Sequence, residues 1–338
     1  MVYGLFVKWD ALSEKKRQLD QFRPLPKELV ANLENWFRVE LTYTSNALEG
    51  NTLTRQETAV IVEKGLTIGG KSLVEHLEAT NHAAALNKVV QIAQSATEDI
   101  TEHTILDLHS TILHGIDDAN AGRYRSIAVR ISGSMVVLPN PLKVPTLMAD
   151  FVKEMGTRSD LHPVELAAEA HYQLVTIHPF IDGNGRTARL LMNLLLLQKG
   201  YPPALIRKRD RVPYLKALEK AQLGGAKEDY HEIISKAVSR SFDIYFNALD
   251  PELEPLQKPT PLLRIGQLAK LTAEPHATLR HWMKAGLLQF SETTGAGYQL
   301  FDPEMVERAK LIRHLQSERQ TLAEIRKHIA EQKEDGPG

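Results

Sequence analysis

The sequence predicts a mainly α-helical protein with one small β element in its body and a smaller C-terminal unit. Three observations predict this. Apolar residues recur at helical spacing up to about Leu249. One stretch breaks the pattern: SIAVRISGSMVVLP, residues 126–139, carries two β-rich runs around Ser132-Gly133, a hairpin signal. Finally, LDPELEPLQKPTPL, residues 249–262, holds four prolines and reads as a linker. Beyond it the pattern changes to short helices with a Gly-rich insertion.

The elements follow in order. LPKELVANLENWFRVELTYTSNALEG, residues 25–50, is one long helix, with Pro26 near its start and Gly50 placed to stop it. Thr54 to Glu57 spells a capping box that opens the next helix. A further helix starts near Ser72, and TEHTILDLHSTILHG follows as another. In HPVELAAEAHYQLVTI, Pro163 sits in the first turn and Leu166, Ala170, Leu174 and Ile177 form a buried stripe. RTARLLMNLLLLQKG is apolar on most sides and is expected to be the central buried helix. A lone hairpin is unstable without help, so residues 126–139 are expected to serve a site as a flap. No internal repeats occur. The charged tail EQKEDGPG is expected to be disordered.

Composition narrows the function classes. The chain has 338 residues, room for about two domains. At 43% hydrophobic and 25% charged it has the make-up of an ordinary soluble globular protein. A formal charge of −1 gives no global pull toward nucleic acid or anionic membrane. The absence of cysteine excludes disulfides, thiolate metal sites and a cysteine nucleophile. No signal peptide or bilayer-spanning run is read, so the expected location is cytoplasmic, with no membrane partner.

Two segments compete to hold a phosphate. GLTIGGKS, residues 65–72, matches the P-loop pattern G-x-x-x-x-G-K-[ST]. A P-loop needs a buried strand before it and a helix after it, with an Asp-ending strand for Mg²⁺. Here the preceding run, AVIVEKG, lies in a segment already opened by a helix capping box. The expected structure is therefore a helix–helix loop with Ser72 as N-cap. The rival is HPFIDGNGRTAR, residues 178–189. Its glycines let backbone N–H groups converge as an anion nest at the start of a helix, whose dipole adds positive potential. Arg186 and Arg189, three residues apart, are both in reach of one anion. Asp182 is suited to Mg²⁺ bridging phosphates, and His178 to general base work near neutral pH.

HPFIDGNGRTAR fully matches the Fic motif H-P-F-x-[D/E]-G-N-G-R-x-x-R, and residues 35–245 resemble that family. The resemblance implies a Fic-type helical core with a β-hairpin flap, transferring AMP from ATP to a protein hydroxyl. It implies that His178 deprotonates the hydroxyl and Asp182 binds Mg²⁺. Gly183, Asn184 and Gly185 would hold the α- and β-phosphates, with Arg186 on phosphate and Arg189 on the γ-phosphate. The flap residues Ile131, Ser132, Gly133 and Ser134 would border the nucleotide and pair with an extended target segment. Tyr214 falls where the family lines the adenine pocket; Gln222 falls there too, where relatives can have Asn. Gly185, rather than Lys, favours AMP transfer over the phosphate or phosphocholine transfer of divergent members.

Glu49 stands in the last turn of the long helix, where its charge opposes the dipole by about 0.3–1 kcal/mol. SNALEG resembles the inhibitory Fic motif [S/T]-x-x-x-E-[G/N], filled by Ser45, Glu49 and Gly50. By that resemblance Glu49 pairs with Arg189 and blocks productive placement of the γ-phosphate. Some relatives of this type also remove AMP. Self-modification is expected.

Residues 262–315 resemble a MerR-type winged helix-turn-helix, with IGQLAKLT as first helix, HATLRHWMKAGLL as recognition helix and TTGAGYQLFDPE as wing; TLAEIRKHI matches the helix that follows. On one reading Arg280, His281 and Lys284 face DNA. Residues 261–338, however, carry 11 Lys and Arg against 10 Asp and Glu, a weak electrostatic footprint, and Gln299 stands where relatives often have a wing arginine. The other reading is a retained fold used for protein contacts or a homodimer. The expected domains are an N-terminal region with the inhibitory helix (1–60), the Fic core (61–248), the linker (249–262), the winged helix (263–330) and the tail (331–338).

Three functions are set against each other. The leading one is an ATP-dependent protein adenylyltransferase. The second is a DNA-binding regulator whose Fic core is a nucleotide-dependent switch. The third, metal-dependent hydrolysis, has little behind it, since His162, His171 and His178 are not at ligand spacing.

Overall fold

A computed structural model describes residues 3–95, 100–158, 160–249, 262–293, 298–302, 304–317, 320–322 and 324–325. The chain divides into two compact units, Met1–Leu253 and Glu254–Gly338.

The first unit holds ten α-helices among its described residues: α1 (Tyr3–Asp20), α2 (Lys27–Leu48), α3 (Arg55–Lys64), α4 (Leu73–Gln94), α5 (Glu102–Leu113), α6 (Val144–Thr157), α7 (Pro163–Ile177), α8 (Asn184–Gln198), α9 (Arg211–Gln222) and α10 (Glu228–Leu249). Local sequence explains many of their ends. Thr54 opens α3 and Ser72 opens α4 with reciprocal capping boxes. Gly50 and Gly65, at φ 104° and 66°, take the left-handed conformation that follows a helix end.

Helix α8 is the partition of this unit. It packs against α4, α5 and α7. Leu191, Met192 and Leu196 enter one apolar cluster with residues of α1, α6, α7, α9 and α10. Leu190 and Leu194 enter a second, shared with α2, α4 and α5. A helix apolar on most sides is stable only when buried on most sides. Both clusters therefore fix where the N-terminus of α8 lies, and that end carries the site.

GLTIGGKS is a loop between α3 and α4. Lys71 Nζ donates to Thr52 O at 2.8 Å and to Thr52 Oγ1 at 3.1 Å, and lies 3.7 Å from Glu57 Oε2. The lysine is committed to shaping this connection, and AVIVEK, with its β-branched residues, is helical in α3.

Residues 126–139 depart from the expected hairpin: they form a turn at residues 132–133 but no strand ladder. Ser134 N donates to Ile131 O at 3.2 Å, and Gly133 takes φ 77°, the positive φ that a type II turn places at its third residue. The arms are held by side chains instead. Arg125 donates to Ile127 O and Pro139 O at 3.2 and 2.7 Å. Glu219 of α9 accepts from Ser134 Oγ and Met135 N at 2.7 and 2.9 Å. Met135 and Val137 are 80% and 89% exposed, so the β-propensity of the run has no apolar face to pack against.

In the second unit, α11 (Ile265–Thr272) and α12 (His276–Lys284) precede α13 (Glu304–Ser317). Strands β1 (Leu263–Arg264), β2 (Glu292–Thr293) and β3 (Gln299–Phe301) form an antiparallel sheet in the order β1-β3-β2. Trp282 is buried in this unit's own core with Leu268, Leu279 and Phe301. The expected linker and tail, the tip of the wing and most of TLAEIRKHI lie outside the described residues. Among the described residues no helix is long and apolar enough to cross a membrane.

Candidate active site

The site forms where the C-terminus of α2 meets the N-terminus of α8. Gly183, at φ 77°, is the N-cap of α8, and no side chain caps it. The first-turn N–H groups of α8 therefore remain available to an anion, with the helix dipole behind them. The helix begins at Asn184, two residues earlier than its sequence suggests.

The loop that leads into α8 is held from several directions. Asn184 closes it by a two-bond clamp, accepting from Phe180 N and donating to Phe180 O, both at 2.9 Å. Below lies His109 of α5, stacked on Phe180 with ring centroids 3.6 Å apart. Its Nδ1 accepts from Gly122 N at 3.0 Å, which leaves the Nε2 proton to donate to Asp182 O at 3.0 Å. Burial pushes its pKa down to about 4, so this neutral form persists at physiological pH. A Cβ at Gly183 would approach that ring to 3.2 Å.

His178 is the C-cap of α7, in the left-handed region at φ 50°. Its carbonyl accepts from Arg125 Nε at 2.8 Å. Its Nδ1 faces Val175 O at 3.4 Å, which orients the ring and keeps Nε2 as the unprotonated nitrogen. Burial lowers its pKa below the ordinary histidine value, although the Val175 contact works the other way. The side chain is thus neutral and able to accept a proton near pH 7.

Arg189 is 6% exposed. Its Nε donates to Ser45 Oγ at 2.9 Å, and its Nη2 donates to Ser45 O at 2.9 Å and to Glu49 Oε1 at 2.7 Å. Burial opposes the charge, but Glu49 and Tyr214 outweigh it and hold the guanidinium protonated. The Glu49 carboxylate also lies over the first turn of α8: a Cβ at Gly185 would collide with Glu49 Oε1 and come within 3.0 Å of Arg189 Nη1. Glu49 therefore sits beside the first turn of α8, between Gly185 and Arg189.

Other expected residues are placed differently. Arg186 is 2% exposed; it donates to Glu78 Oε1 at 2.9 Å and Asp182 Oδ2 at 3.3 Å, so its guanidinium lies under the loop rather than open to a phosphate. The Asn184 side chain is engaged by the loop clamp. Tyr214, 1% exposed, lies beneath the site: its hydroxyl donates to His171 Nε2 at 2.7 Å, and His171 Nδ1 donates to Tyr230 Oη at 2.8 Å. Tyr230 in turn donates to Ala168 O, and burial together with Arg189 holds His171 neutral, its pKa down to about 3. Gln222 Nε2 donates to Val175 O at 3.3 Å and Thr176 Oγ1 at 3.2 Å, bracing the end of α7 that carries His178. The Asp182 side chain is 68% exposed at the lip. In the second unit Arg280, His281 and Lys284 are all exposed on α12.

Sequence reasoning missed Glu78, His109, Arg125, Glu219 and Arg211, whose Nε donates to Leu48 O at 2.7 Å. Among the described residues no group of three or more His, Asp or Glu could hold a metal on its own. His171 belongs to the buried tyrosine relay, and His162 bonds Ser13 Oγ and Tyr201 Oη at 2.9 and 3.2 Å.

Fold and site together define a mainly helical protein built around a helix N-terminus that no side chain caps, flanked by a neutral histidine and a buried arginine. Residues 99–196 match the Fic/DOC family, and residues 263–332 match the MerR HTH family regulatory proteins. The chain is 39% identical over 212 residues to a protein adenylyltransferase Fic of Nematostella vectensis, covering 60% of this chain and 47% of the relative. With the Drosophila persimilis protein of the same name it shares 36% identity over 261 residues, 76% and 50% of the two chains. It thus spans about half the length of these curated relatives. Among solved structures, a Fic domain containing signaling protein from Bacteroides thetaiotaomicron VPI-5482 is 32% identical with a TM-score of 0.65, covering 73% of this chain and 99% of that one. A fragment of Fic-1 from C. elegans is 31% identical, also with a TM-score of 0.65 and 72% coverage of each chain. The chain belongs to the Fic family.

Replacement of Gly183 by Ala is expected to lower stability by about 1–3 kcal/mol, through the positive φ and the contact with His109. Urea unfolding followed by circular dichroism measures it. An unchanged midpoint would show that the loop does not depend on this glycine.

Proposed function

We propose that the protein transfers AMP from ATP to a hydroxyl of a protein, itself included, and that Glu49 restrains the reaction. One observation carries the reading: the Glu49 carboxylate lies against Gly185 in the first turn of α8 and binds the Arg189 guanidinium. A site that takes a carboxylate there is chemically prepared for phosphate oxygens.

In this reading the triphosphate lies along the first turn of α8, with the backbone of Gly183, Asn184 and Gly185 donating to it. His178 Nε2 removes the proton from the target hydroxyl. The hydroxyl oxygen attacks the α-phosphorus, the bond to the β-phosphate oxygen breaks, and pyrophosphate leaves. The Asp182 carboxylate, exposed at the lip, suits Mg²⁺, which is usually held by one or two carboxylates together with substrate phosphates. That ion would neutralise phosphate charge during the displacement. Ile131, Ser132, Gly133 and Ser134 would border the substrates, with Glu219 fixing the turn that presents them. Arg189 would reach the γ-phosphate once released from Glu49. Arg186 and Tyr214 would support the site from below, and Gln222 would position His178.

The match of residues 263–332 to MerR-type regulators and the exposed cations of α12 favour a second, separate activity, DNA binding through Arg280, His281 and Lys284. With the full chain, a gel shift at low salt should weaken on Arg280→Ala and on added salt. No shift at low salt would remove this reading and leave a protein-contact or homodimer role for the unit.

Intact-mass spectrometry after incubation with ATP and Mg²⁺ tests the main reading. Glu49→Gly should gain AMP at least tenfold faster than the parent, and His178→Ala in that background should gain none. A parent rate equal to that of Glu49→Gly would sink the restraint, and transfer by the His178→Ala double variant would remove His178 as base. The pH profile of the Glu49→Gly enzyme supplies a further check. Because the base acts when neutral and its pKa is lowered, the rate should rise with pH through a midpoint below 6.5 and stay flat above it. A midpoint above 6.5 would contradict the buried, neutral His178.

A further inference from the structure

Away from the N-terminus of α8, a cavity of about 450 Å³ opens between α2, α4, α8 and α10. This falls within the range of small-molecule sites, about 300–1,000 Å³. Phe37, Leu86, Val90 and Leu197 give it an apolar wall. Arg38 of α2 also lines it. The Arg38 Nε is buried and has no hydrogen-bond partner, and no carboxylate among the described residues pairs with the side chain. Glu34, one turn earlier and facing the same space, has its Oε1 3.5 Å from Gln94 Nε2.

A half-buried guanidinium that lines an apolar cavity with no carboxylate paired to it leaves a charge that an anionic ligand in the cavity can neutralise. We infer that this cavity binds a small molecule with an anionic head and an apolar body, the head on Arg38 and the body against Phe37, Leu86, Val90 and Leu197. The guanidinium supplies a charge-assisted bond that a neutral head group cannot match. Leu41 and Asn193 line both this cavity and a pocket of about 10 Å³ bounded by Ser45 and Arg189. The site is therefore built on the same stretch of α2 that leads to Glu49. The inference stands apart from AMP transfer, since its test needs no ATP.

Octanoate and its neutral counterpart 1-octanol serve as probes, with the full chain and isothermal titration calorimetry. Octanoate should bind one to one and raise Tm, at least tenfold more tightly than 1-octanol. Arg38→Met should weaken octanoate at least tenfold and leave 1-octanol unchanged. Val90→Trp, which fills the cavity, should remove both. Absence of octanoate binding, equal affinity for the two probes, or octanoate binding unaltered in both variants would overturn the inference. The comparison of the two probes on the unaltered chain holds even if a variant fails to fold.

Discussion

A buried cation at residue 189 governs the architecture around the site. Arg189 extends from the first turns of α8 into a place almost closed to water, where an unpaired guanidinium would be very costly. It donates to the end of α2 three times, to the hydroxyl and carbonyl of Ser45 and to the carboxylate of Glu49. This requirement brings the C-terminus of one long helix against the N-terminus of the central one. The ends carry opposite partial charges, so the arrangement is electrostatically consistent. It also answers the question raised by Glu49, whose charge is unfavourable for its own helix and favourable for the next. Arg211, on the Leu48 carbonyl, adds a second cation at the same helix end.

Around this contact the loop from His178 to Gly183 is fixed before any ligand arrives. Arg125 joins the His178 carbonyl to both ends of the 126–139 segment, so His178 and that turn share one anchor. His109 supports Phe180 by stacking and Asp182 by a hydrogen bond, and burial keeps it neutral for that task. Glu78 holds Arg186 and accepts from Asn51 just beyond α2, which links the lip of the loop to the same helix end. Sites held by such supporting contacts lose little freedom on binding, which is how preorganisation favours reaction.

What could be read from the sequence was what is encoded locally. The capping box at Thr54, the N-cap at Ser72 and the glycine stop at Gly50 involve neighbours in sequence, and they form as expected. The twelve-residue segment 178–189 was legible because its chemistry is concentrated in one run. Glu78 was not, since its partner Arg186 is 108 residues away and nothing in the periodicity of α4 marks it. His109, 73 residues from Asp182, looks in sequence like any helical histidine. The hairpin expectation at 126–139 rested on β-rich runs and the Ser132-Gly133 turn; the turn forms, but pairing needs a buried face that Met135 and Val137 lack. Arg186 and Tyr214, which the family resemblance puts on phosphate and in the adenine pocket, are 2% and 1% exposed, because sequence spacing sets the direction of a side chain but not its depth.

Glu49 and Arg189 belong to the same polypeptide, and this has a kinetic consequence. An interaction between separate molecules weakens on dilution, but this contact opens and closes as a first-order equilibrium. The fraction of molecules with Arg189 released is then independent of how much protein is present. It shifts only when something binds one of the two arrangements better than the other.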